Sequence, residues 1–314
     1  MKTVQSFNSV DTLAIKDKAL FVAIGMFDGL HLGHRAVIKA ALEAATRAGG
    51  AVIVLTFRPH PSRLFRAETP TLLMQTDSVQ AALLADLGVD AVVVHPFASE
   101  FAKINAEDFL PWLKAKWPKL AGVFVGETWR FGAKRRGDIH LLTASAKNLD
   151  LEVLGIPSVI QDGLPVNSTR IRALISAGEI AAANALLGYP YFSVGKVELG
   201  KQLGRTLGFP TLNTYYAPEL KPRYGVYAVR ISGKGLSLQG VANYGLRPTV
   251  EQVTDPKLES HSLEKGPCPL DYGDEITVQW VNFIRPEMKF SSLDELKLQI
   301  TKDVDSAKRV FGIV

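Results

Sequence analysis

Cysteine is nearly absent: Cys268 is the only one, so no internal disulfide forms and no cysteine-built metal site is possible. A lone thiol fits a reducing cytoplasm, which is the expected compartment. The chain also lacks any apolar run of about 20 residues, so no membrane-spanning helix is expected. Its first twenty residues, MKTVQSFNSVDTLAIKDKAL, have no long apolar core and no small-residue cleavage site, so no signal peptide is read. There is no fixed-period repeat and no low-complexity tract. No basic stretch is interleaved with aromatics in the way nucleic acid requires, so neither nucleic acid nor membrane is an expected partner.

What is present is a globular composition, 47% hydrophobic and 21% charged, over 314 residues, enough for two domains. The net charge of +5 is compatible with an anionic ligand, and equally with a solvated basic face. The first half alternates apolar runs (FVAIGMF, AVIVLTF, DAVVVHPF, AGVFVGE, LEVLGIP) with stretches of helical spacing. That is βαβ rhythm, hence an α/β fold with a doubly wound parallel sheet. Gly49, Gly50 and Gly88 are placed as helix stops. One further helical segment, STRIRALISAGEIAAANALLG, follows. Beyond Tyr189 the rhythm changes: FSVGKVEL, YGVYAVRI, LSLQGVANYG and EITVQWVNFI read as antiparallel strands, and SLDELKLQITKDVDSAKRVF as a closing amphipathic helix. The reading is two domains, 1–187 and 188–314, the second a small antiparallel β-barrel with a C-terminal helix.

GMFDGLHLGH (25–34) lies between the first apolar run and a helix. A glycine-rich turn from strand to helix presents backbone N–H groups to an anion. His31 and His34 are three apart and share a helix face, where their N–H groups would stabilise charge developing on a phosphate. Turn glycines with two solvated histidines fit the same pattern. No Gly-Lys-Ser/Thr follows, so this is not a P-loop, and it is not GxGxxG. Taken alone, NSTRIR is most simply an N-cap with a basic first turn, and FPTLN a Pro-Thr turn entering a strand.

HLGH resembles the HIGH-type signature of nucleotidyltransferases, and GMFDGLHLGH as a whole resembles the prokaryotic bifunctional riboflavin kinase/FMN adenylyltransferases (FAD synthetases). TFRPHP (56–61), VGETWRFG (125–132) with RRGD after it, and NSTRIR (167–172) continue the resemblance. GRTLGFPTLN (204–213), GVYAV (225–229), VANYGLRPT (241–249), LESH (258–261) and FIRPEMKF (283–290) resemble the riboflavin kinase module, so the series spans nearly the whole chain.

The resemblance implies phosphorylation of riboflavin to FMN, then adenylylation of FMN to FAD with release of pyrophosphate. It implies ATP as co-substrate, Mg²⁺ as cofactor, and a monomer or transient homo-oligomer. His31 and His34 would contact the ATP phosphates. Gly25, Phe27, Asp28 and Gly33 would form the turn, with Asp28 orienting it or touching the nucleotide. Thr128, Trp129 and Arg130, then Ser168, Thr169 and Arg172, would complete the ATP and FMN contacts, and His60 would have a supporting role. Thr128 stands where the family pattern has Asp or Asn, Trp129 where it has Phe, and Asn167 where it has Ser. In the second module Gly204, Arg205, Gly208, Pro210, Asn243 and Arg247 would bind ATP and flavin, Thr211 and Asn213 would hold Mg²⁺, and Glu259 would be the general base. Nothing local separates Glu259 from Glu251 or Glu264. The stretch SLEKGPCPLDYG departs from the family's acidic-aromatic turn. Alternatives are a monofunctional adenylyltransferase with a non-catalytic barrel, a flavin- or nucleic-acid-binding regulator, and another HIGH-type transferase.

Overall fold

A computed structural model of the chain describes residues 3–200, 203–246, 256–264 and 266–313. Packing divides it into two units, Met1–Ser168 and Thr169–Val314. The first unit is built on a six-stranded sheet: β1 (Gln5–Phe7), β2 (Leu20–Ile24), β3 (Ala51–Arg58), β4 (Ala91–Pro96), β5 (Leu120–Gly126) and β6 (Glu152–Ile156). All pair in parallel, in the order β1-β4-β3-β2-β5-β6. β2 and most of β3 are buried on both faces, which is why they read as unbroken apolar runs. β1 was not anticipated, because three residues, two of them exposed, carry no such run.

The chain steps outward from β2 to β3 and β4, then returns to lay β5 against the other side of β2. The strand order therefore reverses between β2 and β5. In such sheets the crevice at the carboxyl ends of the two reversing strands is where ligands bind. The loops leaving those ends are the GMFDGLHLGH turn and the GETWRFG loop.

The helices of this unit are α1 (Leu32–Ala48), α2 (Ser62–Phe65), α3 (Asp77–Asp86), α4 (Ser99–Ala102), α5 (Ala106–Lys116) and α6 (Ile139–Lys147). α1 buries Val37, Ile38, Ala41, Ala44 and Ala45 along one stripe and stops where Gly49 turns left-handed, at φ 62°. A two-strand hairpin, β7 (Ile160–Gln161) and β8 (Leu164–Pro165), precedes α7 (Ser168–Ala177) and α8 (Ile180–Leu187). The sequence reads these last two helices as one segment. They are two because Gly178 adopts φ 83° and breaks the helix between them.

In the second unit β9 (Phe192–Glu198), α9 (Leu203–Thr206), β10 (Leu212–Tyr215), β11 (Gly225–Gly233), β12 (Leu236–Gly245), β13 (Lys257–Ser262) and β14 (Glu275–Pro286) lead to α10 (Leu293–Phe311). The strands close a barrel in the order β10-β13-β12-β11-β14-β9, which leaves no sheet edge unpaired. Aromatics fill its core: Tyr191, Tyr227, Tyr244 and Trp280 are fully buried, and Tyr227 and Tyr244 meet Trp280 nearly perpendicular at 4.6 and 5.2 Å. β10 is the strand that the FPTLN turn enters, whereas β13 was not anticipated. β13 alternates Leu258 and Ser260, both buried, with Glu259 and His261, so a polar residue on the buried face hides the usual pattern.

α10 packs Val304 and Ala307 on Val226, Ala228 and Val241 of the barrel. Arg285 clamps it with a bidentate pair to the buried Asp303, at 2.8 and 2.7 Å, and Gln299 donates to the same carboxylate at 2.9 Å. Asp303→Ala strands a guanidinium, which typically costs about 3–5 kcal/mol. A marked fall in the urea midpoint of the full chain is expected, against little change for Asp305→Ala at an exposed pair. An unchanged midpoint for Asp303→Ala would show that the pair does not secure the helix.

Two candidate active sites

The turn after β2 is tightly coiled. Phe27, Gly29 and Leu30 take φ of 50°, 82° and 39°, a left-handed region that only the glycine enters without strain. Burial holds the other two there, at 1% and 0% exposure. A Cβ on Gly25 would stand 3.2 Å from the Phe27 ring. The Met26 carbonyl accepts from Thr56 Oγ1 at 3.2 Å and Gln80 Nε2 at 3.0 Å. Asp28 is buried. Its carboxylate accepts the Met74 N–H at 3.0 Å, and its carbonyl accepts from Ser168 Oγ at 3.0 Å. These contacts tie the turn to the loop before α3 and to the start of α7.

His31 is the N-cap of α1. Its Nδ1 accepts the His34 N–H at 3.3 Å. With Nδ1 accepting, the neutral ring carries its hydrogen on Nε2, a donor. The His31 and His34 rings stack at 3.6 Å and 16°, and Phe27 meets His34 edge-on at 5.3 Å. A Cβ on Gly33 would lie 3.2 Å from the His31 ring, so glycine keeps that seat open. No acidic residue occupies the first turn of α1, so its positive dipole end is left for an anion.

Beside this turn opens a cavity of about 830 Å³, within the range of small-molecule sites. Gly25 and Met26 form one side, and Phe57, Phe101, Phe109, Trp129 and Phe131 form much of an aromatic wall. Trp129 and Phe131 stack at 4.8 Å and 13°. The polar part of the lining carries Arg66, Arg130, Lys134 and Arg135, and no carboxylate is among its described residues. Thr128 is exposed and lines the same cavity. Arg130 pairs at 3.0 Å with Asp138. The Leu141 backbone N–H, reinforced by Arg130, holds the Asp138 carboxyl below its ordinary range. His60 also lines the cavity, where its Nδ1 receives the Ser62 N–H at 3.1 Å and meets Ser62 Oγ at 2.8 Å.

Arg66, Phe101, Phe109, Lys134 and Arg135 were missed from sequence. Only the RRGD match hinted at Arg135. Ser168 starts α7 within the first unit; Thr169 and Arg172 continue that helix in the second.

In the barrel, the paired register lines up Glu198, Asn213, Glu259 and Asn243 as direct cross-strand partners on β9, β10, β13 and β12. Directly opposed residues share a face, so two carboxylates and two amides form one polar row. Glu198 was not expected there. Thr211 lies two residues before Asn213, whose Nδ2 donates to the Thr211 carbonyl at 3.4 Å and lies 3.5 Å from its Oγ1. A Cβ on Gly200 would stand 2.5 Å from Asn213 Nδ2, so the chain passes flat against this amide. Gly204 and Arg205 lie in α9, and Gly208 (φ 89°) and Pro210 follow in the loop to β10. Phe209 N–H donates to the Gly204 carbonyl at 2.7 Å, closing that loop. Arg205 is exposed. Arg247 lies outside the described residues. Glu264 is an exposed loop residue outside the polar row.

The profile of the FAD synthetase family matches residues 14–170, and that of riboflavin kinase matches residues 187–311. The bifunctional riboflavin kinase/FMN adenylyltransferase of Escherichia coli K12 is 36% identical over 294 residues, covering 93% of each chain. That of Listeria monocytogenes is 35% identical over 319 residues, covering 99% of each. A crystal structure from Streptococcus pneumoniae, described as a macrolide-efflux protein, superposes with a TM-score of 0.85 at 26% identity, over 98% of this chain and 99% of that one. Among the described residues, no helix is long and apolar enough to cross a membrane. With both halves matched in order and full-length relatives of one kind, the chain belongs to the bifunctional riboflavin kinase/FMN adenylyltransferase family.

Proposed function

We propose that the two reactions of the family run at the two sites just described. The chain phosphorylates riboflavin to FMN with ATP, and adenylylates FMN to FAD with release of pyrophosphate. The observation that carries the assignment is the meeting of the histidine turn and the GETWRFG loop at the sheet's reversal point, beside a cationic, aromatic cavity.

In the adenylyl step an FMN phosphate oxygen attacks the α-phosphorus of ATP. A new P–O bond forms, the bond to the β-phosphate breaks, and pyrophosphate leaves. The nucleophile arrives ionised, its second pKa being about 6, so no strong base is required. Catalysis then rests on holding two anions together and neutralising charge. His31 Nε2–H, His34 and the α1 amide end serve the ATP phosphates; the aromatic wall takes the isoalloxazine ring; Arg66, Arg130, Lys134 and Arg135 offset the charge of FMN.

In the kinase step the primary hydroxyl of riboflavin attacks the γ-phosphorus, ADP leaves, and Glu259 accepts the hydroxyl proton. Thr211 and Asn213 supply a hydroxyl and an amide, hard oxygen donors that fit Mg²⁺ held mainly by nucleotide phosphates and water. When bound, the ion neutralises phosphate charge. Among the described residues no cluster of three His, Cys, Asp or Glu side chains forms a cage, in keeping with an ion that arrives on the nucleotide.

The chemical boundary is placed between residues 187 and 188, supported by the start of the riboflavin kinase match at 187. We place the protein in the cytoplasm, as a monomer or transient homo-oligomer, with no nucleic-acid or membrane partner.

The deciding experiment gives the purified protein riboflavin, ATP and Mg²⁺ and separates FMN from FAD. Both products are expected. FAD from added FMN, with no FMN formed from riboflavin, would make the barrel non-catalytic. At Thr128, an amide offers a donor and acceptor that the hydroxyl does not match in reach. Thr128→Asn is expected to lower KM for FMN or leave it unchanged, read from initial rates; a strong rise would show a pocket built around threonine.

A further inference from the structure

His261 stands two residues beyond Glu259 on β13, so the two side chains leave the strand on one face. Its Nδ1 lies 2.8 Å from the carbonyl oxygen of Pro210, and its ring meets Phe209 edge-on at 5.5 Å. A carbonyl oxygen only accepts, so this nitrogen carries the hydrogen. The β10–β13 ladder runs from Tyr215 back to Leu212, which pairs with Ser260, and stops there. Pro210 has no N–H to extend it. Where the main-chain ladder ends, the His261 side chain takes over.

The contact reaches further than one carbonyl. Phe209, packed on the imidazole, donates its N–H to Gly204 at 2.7 Å, and a Cβ on Gly204 would lie 2.4 Å from the Phe209 oxygen. The glycine loop, the Pro210–Thr211 step and the strand of Glu259 are thus joined through one ring.

We propose that His261 is a positioning residue of the riboflavin kinase site. Its Nδ1–H holds the ATP-side segment, Gly204 to Asn213, in register with the strand that carries Glu259. This rests on the kinase-site assignment above. Removing one such hydrogen bond is expected to lower kcat/KM for ATP on the order of tenfold. KM for ATP should rise while KM for riboflavin changes less, because the loosened segment lies on the nucleotide side.

The test compares His261→Ala, His261→Asn, His261→Gln and Glu259→Gln in the full chain, with riboflavin phosphorylation and FMN adenylylation measured on each preparation. Asparagine places an amide N–H near the Nδ1 position and glutamine near Nε2. His261→Asn should stay within about threefold of wild type, and His261→Ala and His261→Gln should show the tenfold loss. Wild-type kinase kinetics in His261→Ala, or rescue by glutamine and not by asparagine, would overturn the proposal. If His261→Ala also loses adenylylation through misfolding, the asparagine–glutamine pair still decides. Full kinase activity in Glu259→Gln would instead overturn the assignment of Glu259 as the base, whereas an inactive Glu259→Gln beside a wild-type His261→Ala removes the positioning role alone.

Discussion

FAD formation from FMN is expected to fall by at least about 10²–10³-fold when His31 and His34 are both replaced by alanine, the usual loss for a preorganised donor to developing charge. The two losses need not multiply, since the stacked rings act as one unit. His31 also caps α1, and losing a cap costs about 1 kcal/mol by itself. His31→Asn separates the two effects: asparagine caps a helix well but lacks the imidazole Nε2–H. It should retain the melting temperature and still lose most adenylylation. Riboflavin phosphorylation should persist in all these variants, because the kinase row lies in the other packing unit. Near wild-type FAD synthesis in the double variant, measured at saturating ATP and FMN, would remove the histidines from the chemistry.

Glu259→Gln is expected to depress riboflavin phosphorylation by about 10²–10⁴-fold, the range of a positioned acid–base group. The substitution keeps shape and hydrogen-bonding capacity but removes the oxygen that takes the proton. ATP binding should change little, and adenylylation should continue because its nucleophile arrives ionised. Measuring both half-reactions on one preparation separates chemistry from misfolding, which would lower both. The register also names the alternative base. Glu198 stands across Asn213 from Glu259, in the same row, while Glu264 lies outside it. Full kinase activity in Glu259→Gln therefore directs attention to Glu198→Gln.

Much of this was legible along the chain. β2 to β6 announce themselves as apolar runs between helical stretches, β2 and β3 because strands covered on both faces need apolar residues at every position. The histidine turn, the GETWRFG loop and the PTLN segment are contiguous, so their order alone points to the family. β1 and β13 were not legible. β1 is too short to show a period, and β13 buries a serine where the pattern calls for an apolar residue.

Local pattern thus determined the α/β rhythm, the change to antiparallel strands and the identity of the chemical groups, since each depends on neighbours a few residues apart. Only the tertiary structure decided which groups meet. Closing the barrel set the register that puts Glu259 opposite both Asn213 and Asn243, and brought Glu198 into the row. Reversing the strand order beside β2 drew Phe57, Phe101, Phe109, Trp129 and four cations around one cavity. The cap on α1 chose the His31 tautomer, and the end of a ladder gave His261 its partner. These arrangements rest on hydrogen bonds and packing between segments far apart in the chain, and the spacing of residues along one strand or helix carries no trace of them.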